Sequence, residues 1–163
     1  MTVTGARPVD VSGFRSSYDP WVDLQRTWPH VRVVIEPMRG NLLGEVREDG
    51  GLIALRAGTT LAQRRCTLAH ELIHLERGIR DCGPWLLREE QLVHAEAARR
   101  LVTLEALCRA IRSLGRADQL AELAQVLDVD SETLQLRLTR LDRRERARVR
   151  NGLRGLGSVW NLA

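Results

Sequence analysis

Lysine is absent from the chain: all 25 basic residues are arginine. We read this as the codon bias of a GC-rich genome rather than as a functional signal. Long apolar runs are missing too. Uninterrupted hydrophobic stretches are only a few residues long, far short of the ~20 that cross a bilayer, so no membrane span is expected. Met1–Ser17 lacks the charged-then-apolar layout of a secretory signal, so export is not expected either. Cysteine is scarce: Cys66, Cys82 and Cys108 stand far apart and form no CxxC pair. An odd number of scattered thiols argues against a disulfide framework and points to a reducing compartment, the cytoplasm.

What is present suits one domain, or one domain with a small appendage: 163 residues, 44% of them hydrophobic. The net charge of +4 is modest but unevenly spread. Residues 139–154 hold seven arginines against Asp142 and Glu145. Such a run either touches nucleic acid or an acidic partner or, more commonly, is the solvated face of a helix.

The most informative segment is His70-Glu71-Leu72-Ile73-His74, an HExxH run. Residues four apart on a helix share a face. His70 and His74 can therefore offer two imidazole nitrogens to one metal ion, with Glu71 beside them to take a proton from water. That division of labour is the one zinc peptidases use. The flanking residues read as a single helix, with a Thr60-x-x-Gln63 capping box at its start and Gly78 as its stop. On a helical wheel Leu61, Leu68, Ala69 and Leu72 form one face, expected to pack on a sheet. Gln63, Cys66, Thr67, His70 and His74 form the other, expected to line a cleft. Cys66 lies one turn before His70 and is a conceivable ligand, but a cysteine so placed is more often a small packed residue.

Upstream, Asp19 and Pro20 open a helix that runs to about Trp28. Val31–Glu36 is β-branched and apolar and reads as a strand stopped by Pro37. Leu42–Glu48 and Leu52–Arg56 read as a hairpin around Asp49-Gly50, a type I′ turn pair. Residues 1–17, rich in Gly, Ser and Pro, are expected to be loose.

Two histidines leave a catalytic zinc one protein ligand short. The next helical segment, Pro84 to Val102, is where to search. With Leu86 at the origin of the wheel, Val93, Ala97 and Leu101 gather on one face, and Glu90 falls in its middle at about 40°. A lone carboxylate there is costly unless paired or metal-bound, which singles out Glu90. Glu89 and Glu96 fall toward the polar side. The competing readings are a buried ion pair between Glu90 and an arginine, a rotated helix, or His94 as the ligand in place of Glu90. We favour His94 as a donor that orients Glu90 or a histidine ligand.

Three stretches together resemble the ImmA/IrrE-type metallopeptidases of bacteria and phages: Gly51-Leu-Ile-Ala-Leu55, Leu68-Ala-His-Glu-Leu-Ile-His-Leu-Glu-Arg-Gly78 and Glu90-Gln-Leu-Val-His-Ala-Glu-Ala-Ala-Arg-Arg-Leu101. The resemblance covers roughly residues 20–140. It implies a compact thermolysin-like core, Zn²⁺ held by His70, His74 and Glu90, and Glu71 as general base. Some members of the family cleave helix-turn-helix repressors. Two positions depart from its pattern: His94 replaces the usual Asn or Asp, and Thr103 replaces a proline.

In the C-terminal third, Leu120–Leu127, a break at Asp128–Asp130 and Ser131–Leu141 read as helix, turn, helix. The spacing of Ala124, Val129, Leu134 and Leu138 resembles a DNA-binding helix-turn-helix, with Gln135, Arg137 and Arg140 expected on the exposed side. Against DNA reading, Asp128 and Asp130 surround the turn with negative charge and its usual glycine is missing. Packing on the peptidase body or docking of a target is the favoured role. The expected fold class is thus α+β: a small antiparallel sheet on a helical peptidase core (18–107), then a helix-turn-helix-like part (108–150) and a tail (151–163). The expected function is zinc-dependent cleavage of a specific intracellular protein, with a repressor as a candidate substrate. The alternative is a DNA-binding or repressor-binding regulator whose metal site is structural or vestigial. Ligand types alone do not separate zinc from manganese or iron. Of the possible second donors to the oxyanion, Tyr18 and His94 come into view, but the sequence supports neither.

Overall fold

Local signals set the helix boundaries in the computed structural model, which describes residues 13–78, 86–114 and 120–152. Helix α1 (Pro20–Thr27) starts with the Asp19 carboxylate accepting from the Trp21 N–H. Helix α2 (Leu61–Arg77) opens on the anticipated reciprocal cap: the Thr60 hydroxyl accepts from Gln63 N at 3.1 Å, and Thr60 N donates to Gln63 Oε1 at 2.9 Å. It stops at Gly78, in the left-handed region at φ 64°.

Strands β1 (Arg32–Glu36), β2 (Gly44–Arg47) and β3 (Leu52–Arg56) form a sheet in the order β1-β3-β2. β2 and β3 are antiparallel, but β1 runs parallel to β3, with Val33 opposite Ile53. The sheet is therefore mixed, not antiparallel. β3 is the central strand, and Ile53, Ala54 and Leu55 are fully inaccessible. A strand covered on both faces must pair along both edges to satisfy its backbone, and β1 supplies the second partner. The β2–β3 connection also differs from a two-residue type I′ turn. Arg47 pairs with Leu52, leaving residues 48–51 in the loop, and Glu48, Asp49 and Gly50 adopt φ of 51°, 53° and 89°.

The remaining described helices are α3 (Leu86–Leu101), α4 (Leu104–Leu114), α5 (Leu120–Leu127), α6 (Ser131–Thr139) and α7 (Arg143–Gly152). With the sheet they make a mixed α+β fold. α2 is gripped from two sides. Leu68 and Leu72 join Leu24, Val31, Ile53 and Leu55 beneath the sheet. Ala69 and Ile73 enter a second cluster with Val93, Leu101, Leu107, Leu123 and Leu134 of the helical half. Leu61, assigned to the sheet-facing side, instead stands 79% exposed in the first turn. On α3 the apolar face is buried only from Val93 onward, and Leu86 and Leu87 are exposed.

The three residues between α5 and α6 turn on Asp128, which takes the left-handed conformation (φ 54°) in the absence of a glycine. Asp130 caps α6 by accepting from Thr133 N at 2.7 Å. Ala124, Val129, Leu134 and Leu138 are buried, as their spacing suggests. Arg137 is not on the exposed side, and that expectation is corrected. Its guanidinium is 4% exposed, donates to the Val102 carbonyl at 2.9 Å and grips the Glu145 carboxylate at 3.0 and 2.5 Å. Val102 lies just past the end of α3, where its carbonyl has no helical partner. α7 brings Glu145 back over it.

Residues 1–12, Cys82, Pro84 and 153–163 lie outside the described residues. Of the N-terminal segment, Ser16 donates its hydroxyl to the Arg100 carbonyl at 2.8 Å, and Arg15 pairs with Asp128 at 2.9 Å. Among the described residues no helix is long and apolar enough to cross a membrane.

Candidate metal centre

α2 packs between the sheet and the other helices and turns both histidines of its polar side the same way. His70 and His74, one turn apart, point their Nε2 atoms to within 2.9 Å of each other. α3 packs alongside and delivers Glu90: Oε2 lies 3.3 Å from His70 Nε2, and Oε1 lies 3.2 Å from His74 Nε2. One donor atom from each of the three falls within 4.8 Å of the others. The three residues singled out from the sequence thus meet at one point. The other two carboxylates of α3 turn elsewhere, Glu89 to Arg77 and Glu96 to Arg99 and Arg100.

Glu71 lies beside this cluster, 6% exposed. Strand β2 closes over it so tightly that Gly44 has no room for a side chain. A Cβ there would stand 2.8 Å from Glu71 Oε1 and would run into Thr67 Cγ2. Burial pushes the Glu71 carboxyl up to about 8, and Glu90 and Glu45 add to the shift. Burial, with His94 and His74 nearby, pushes His70 down to about 3, so its ring stays neutral.

These features fit a divalent cation. Two imidazoles, one of them held neutral, and a carboxylate are the mixed N/O donor set that zinc accepts. Among the described residues neither Glu71 nor Glu90 has an arginine partner. A cation bound between the imidazoles and Glu90 would supply the counter-charge that no arginine gives these carboxyl groups.

The neighbours weighed from the sequence separate clearly. Cys66 is buried in the helical core, its thiol pushed up to about 12 by burial, and it is not in the donor cluster. Tyr18 donates its hydroxyl to Asp23 Oδ2 at 3.0 Å and packs beside Arg100, away from the cluster. His94 is on the inner side, but its Nε2 stands 3.9 Å from Glu90 Oε2, beyond hydrogen-bond reach. It is therefore not the hydrogen-bonded orienting group that was expected, and the buried His70 Nδ1 is without a partner.

Two cavities flank the cluster, of about 790 Å³ and about 500 Å³. Leu42, Gly44, His70, Glu71 and Glu90 border both; His94 borders the larger and His74 the smaller. The larger cavity is also lined by Thr133, Gln135, Leu136 and Thr139 of α6 and by Arg140, which caps that helix. Sequence reasoning missed this lining and Gly44. The sole hint of the second was a glycine at the start of a strand beside two leucines.

No protein-family model matches the chain, and no curated protein is detectably similar to it.

Proposed function

We propose that this protein is a zinc-dependent endopeptidase that cuts a specific intracellular protein, built on a compact thermolysin-like core. The observation that carries this reading is the convergence of His70 Nε2, His74 Nε2 and the Glu90 carboxylate within 4.8 Å, with the buried Glu71 alongside. His70, His74 and Glu90 would hold the zinc, which when bound supplies a Lewis acid that polarises a carbonyl and acidifies water. Glu71 takes the proton of the attacking water and returns it to the leaving amine. Its burial beside the ligand cluster suits a carboxylate that passes a proton between water and the leaving amine. Among the described residues β2 pairs with β3 alone. Its outer edge borders the site and suits an extended peptide held by main-chain pairing. Residues of α6 border the larger cavity, which suits docking of a protein substrate. A repressor as that substrate follows from the family resemblance.

The alternative, a DNA-binding regulator with a vestigial site, loses one of its three expected contacts: Arg137 is buried, while Gln135 and Arg140 are exposed and border the larger cavity. A purely structural site also has no need of Glu71. The test is Glu71→Gln, co-expressed with a candidate repressor from the same genomic neighbourhood. The variant should retain its metal and leave the repressor whole while the parent chain cuts it. Equal biological activity of the two would favour a binding module.

A further inference from the structure

α3 presents a second polar side chain to the site one turn beyond Glu90. The ring of His94 lies 4.2 Å from that of His70, centroid to centroid, at 48°. This contact holds one flank of the imidazole, while the side chain is 57% exposed and borders the larger cavity. Its Nε2 is 3.9 Å from Glu90 Oε2, and no hydrogen bond ties it to another described residue. It also stands outside the group of donor atoms that lie within 4.8 Å of one another. His94 is thus set back from the ligand cluster, with a ring N–H available to an oxygen atom that enters the cavity beside Glu90.

Peptide hydrolysis needs such a donor. The attacked carbonyl oxygen gains a full negative charge, and a preorganised N–H aimed at that position is among the largest contributions a protein makes to the rate. The other candidate, Tyr18, spends its hydroxyl on Asp23. Resting on the peptidase reading above, we propose that His94 is a catalytic residue: its imidazole N–H donates to the scissile carbonyl oxygen as that oxygen becomes an oxyanion. Only a hydrogen bond is given; the proton stays on the ring, and Glu71 carries out the proton transfers.

The test uses the full chain loaded with cobalt, whose visible absorption reports its ligands, and acetohydroxamate, whose carbonyl and N–O oxygens mimic the attacked group. His94→Ala should bind cobalt as tightly as the parent and with the same spectrum, yet bind acetohydroxamate about tenfold more weakly or worse. His94→Gln, which keeps an N–H donor, should recover part of the loss. Unchanged acetohydroxamate affinity in His94→Ala overturns the proposal. So does weaker cobalt binding or an altered spectrum before the probe is added, because that makes His94 a ligand. Failure of the parent chain to bind cobalt would instead remove the metal reading on which the proposal rests.

Discussion

Gly44 offers a sharp check on how the site is built. Its missing side chain lets β2 lie against Thr67 and Glu71 of α2. In Gly44→Ala the new methyl would meet the Thr67 methyl, with Glu71 Oε1 at 2.8 Å and Glu71 Cγ at 3.2 Å. Thr67 cannot swing away freely, because its hydroxyl donates to the Gln63 carbonyl at 2.9 Å. Overpacking of this kind costs about 1–3 kcal/mol, or about 2–12 °C in Tm for a chain of this size. Thr67→Ser keeps the hydroxyl and removes only the clashing methyl. Alone it should cost about 1 kcal/mol for the lost methyl. In the Gly44→Ala background it should be neutral or stabilising, a coupling of at least about 1 kcal/mol. Thermal and urea unfolding with a chelator present would measure the cycle free of metal linkage. The reasoning is refuted if Gly44→Ala stays within about 0.5 kcal/mol of the parent, or if Thr67→Ser costs the same in both backgrounds.

Three further outcomes are expected. Arg137→Ala strips the Val102 carbonyl and Glu145 of their partner and should destabilise by about 2–5 kcal/mol in urea unfolding; a loss typical of a surface arginine would place Arg137 in solvent after all. Glu96 is held down at about 2 by Arg99, with Arg100 also bonding it, against an ordinary value of 4.5. A depressed carboxyl stabilises fully above its unfolded pKa and stops doing so as pH falls through the folded one. Glu96→Gln should therefore lose less stability than the parent between pH 4.5 and about 2, and parallel acid-unfolding curves would contradict this. Glu71→Gln should keep its metal while kcat falls by about 10²-fold or more; a fall matched by loss of metal would make Glu71 structural.

The features legible in the sequence were the ones that local chemistry decides. The Thr60–Gln63 box and Gly78 bound α2 because each acts on backbone groups within a few residues. The histidine pair follows from helical spacing alone. Glu90 was found because a carboxylate amid Val93 and Ala97 needs a reason to be there. What escaped was set by partners distant in sequence. β3 is central because it is covered on both faces, and the unbroken apolar run Leu52–Leu55 was the available sign of that; the parallel direction of β1 has no local signal. Arg137 looked solvent-facing on its own helix and is buried only because α7 folds back with Glu145. Leu61 and Leu87 continue an apolar stripe that their neighbours do not reach. His94 was read from its wheel position as an orienting donor, but one turn of helix does not fix whether a side chain reaches its neighbour or stops 3.9 Å short.

The central claim is that His70, His74 and Glu90 act together on one cation. The direct measurement is elemental analysis of protein purified without added metal, in the parent chain and in Glu90→Ala. About one equivalent of zinc is expected per parent chain, with a large loss in the variant and the fold retained by circular dichroism. No metal in the parent chain, or a full equivalent still bound in Glu90→Ala, would contradict it.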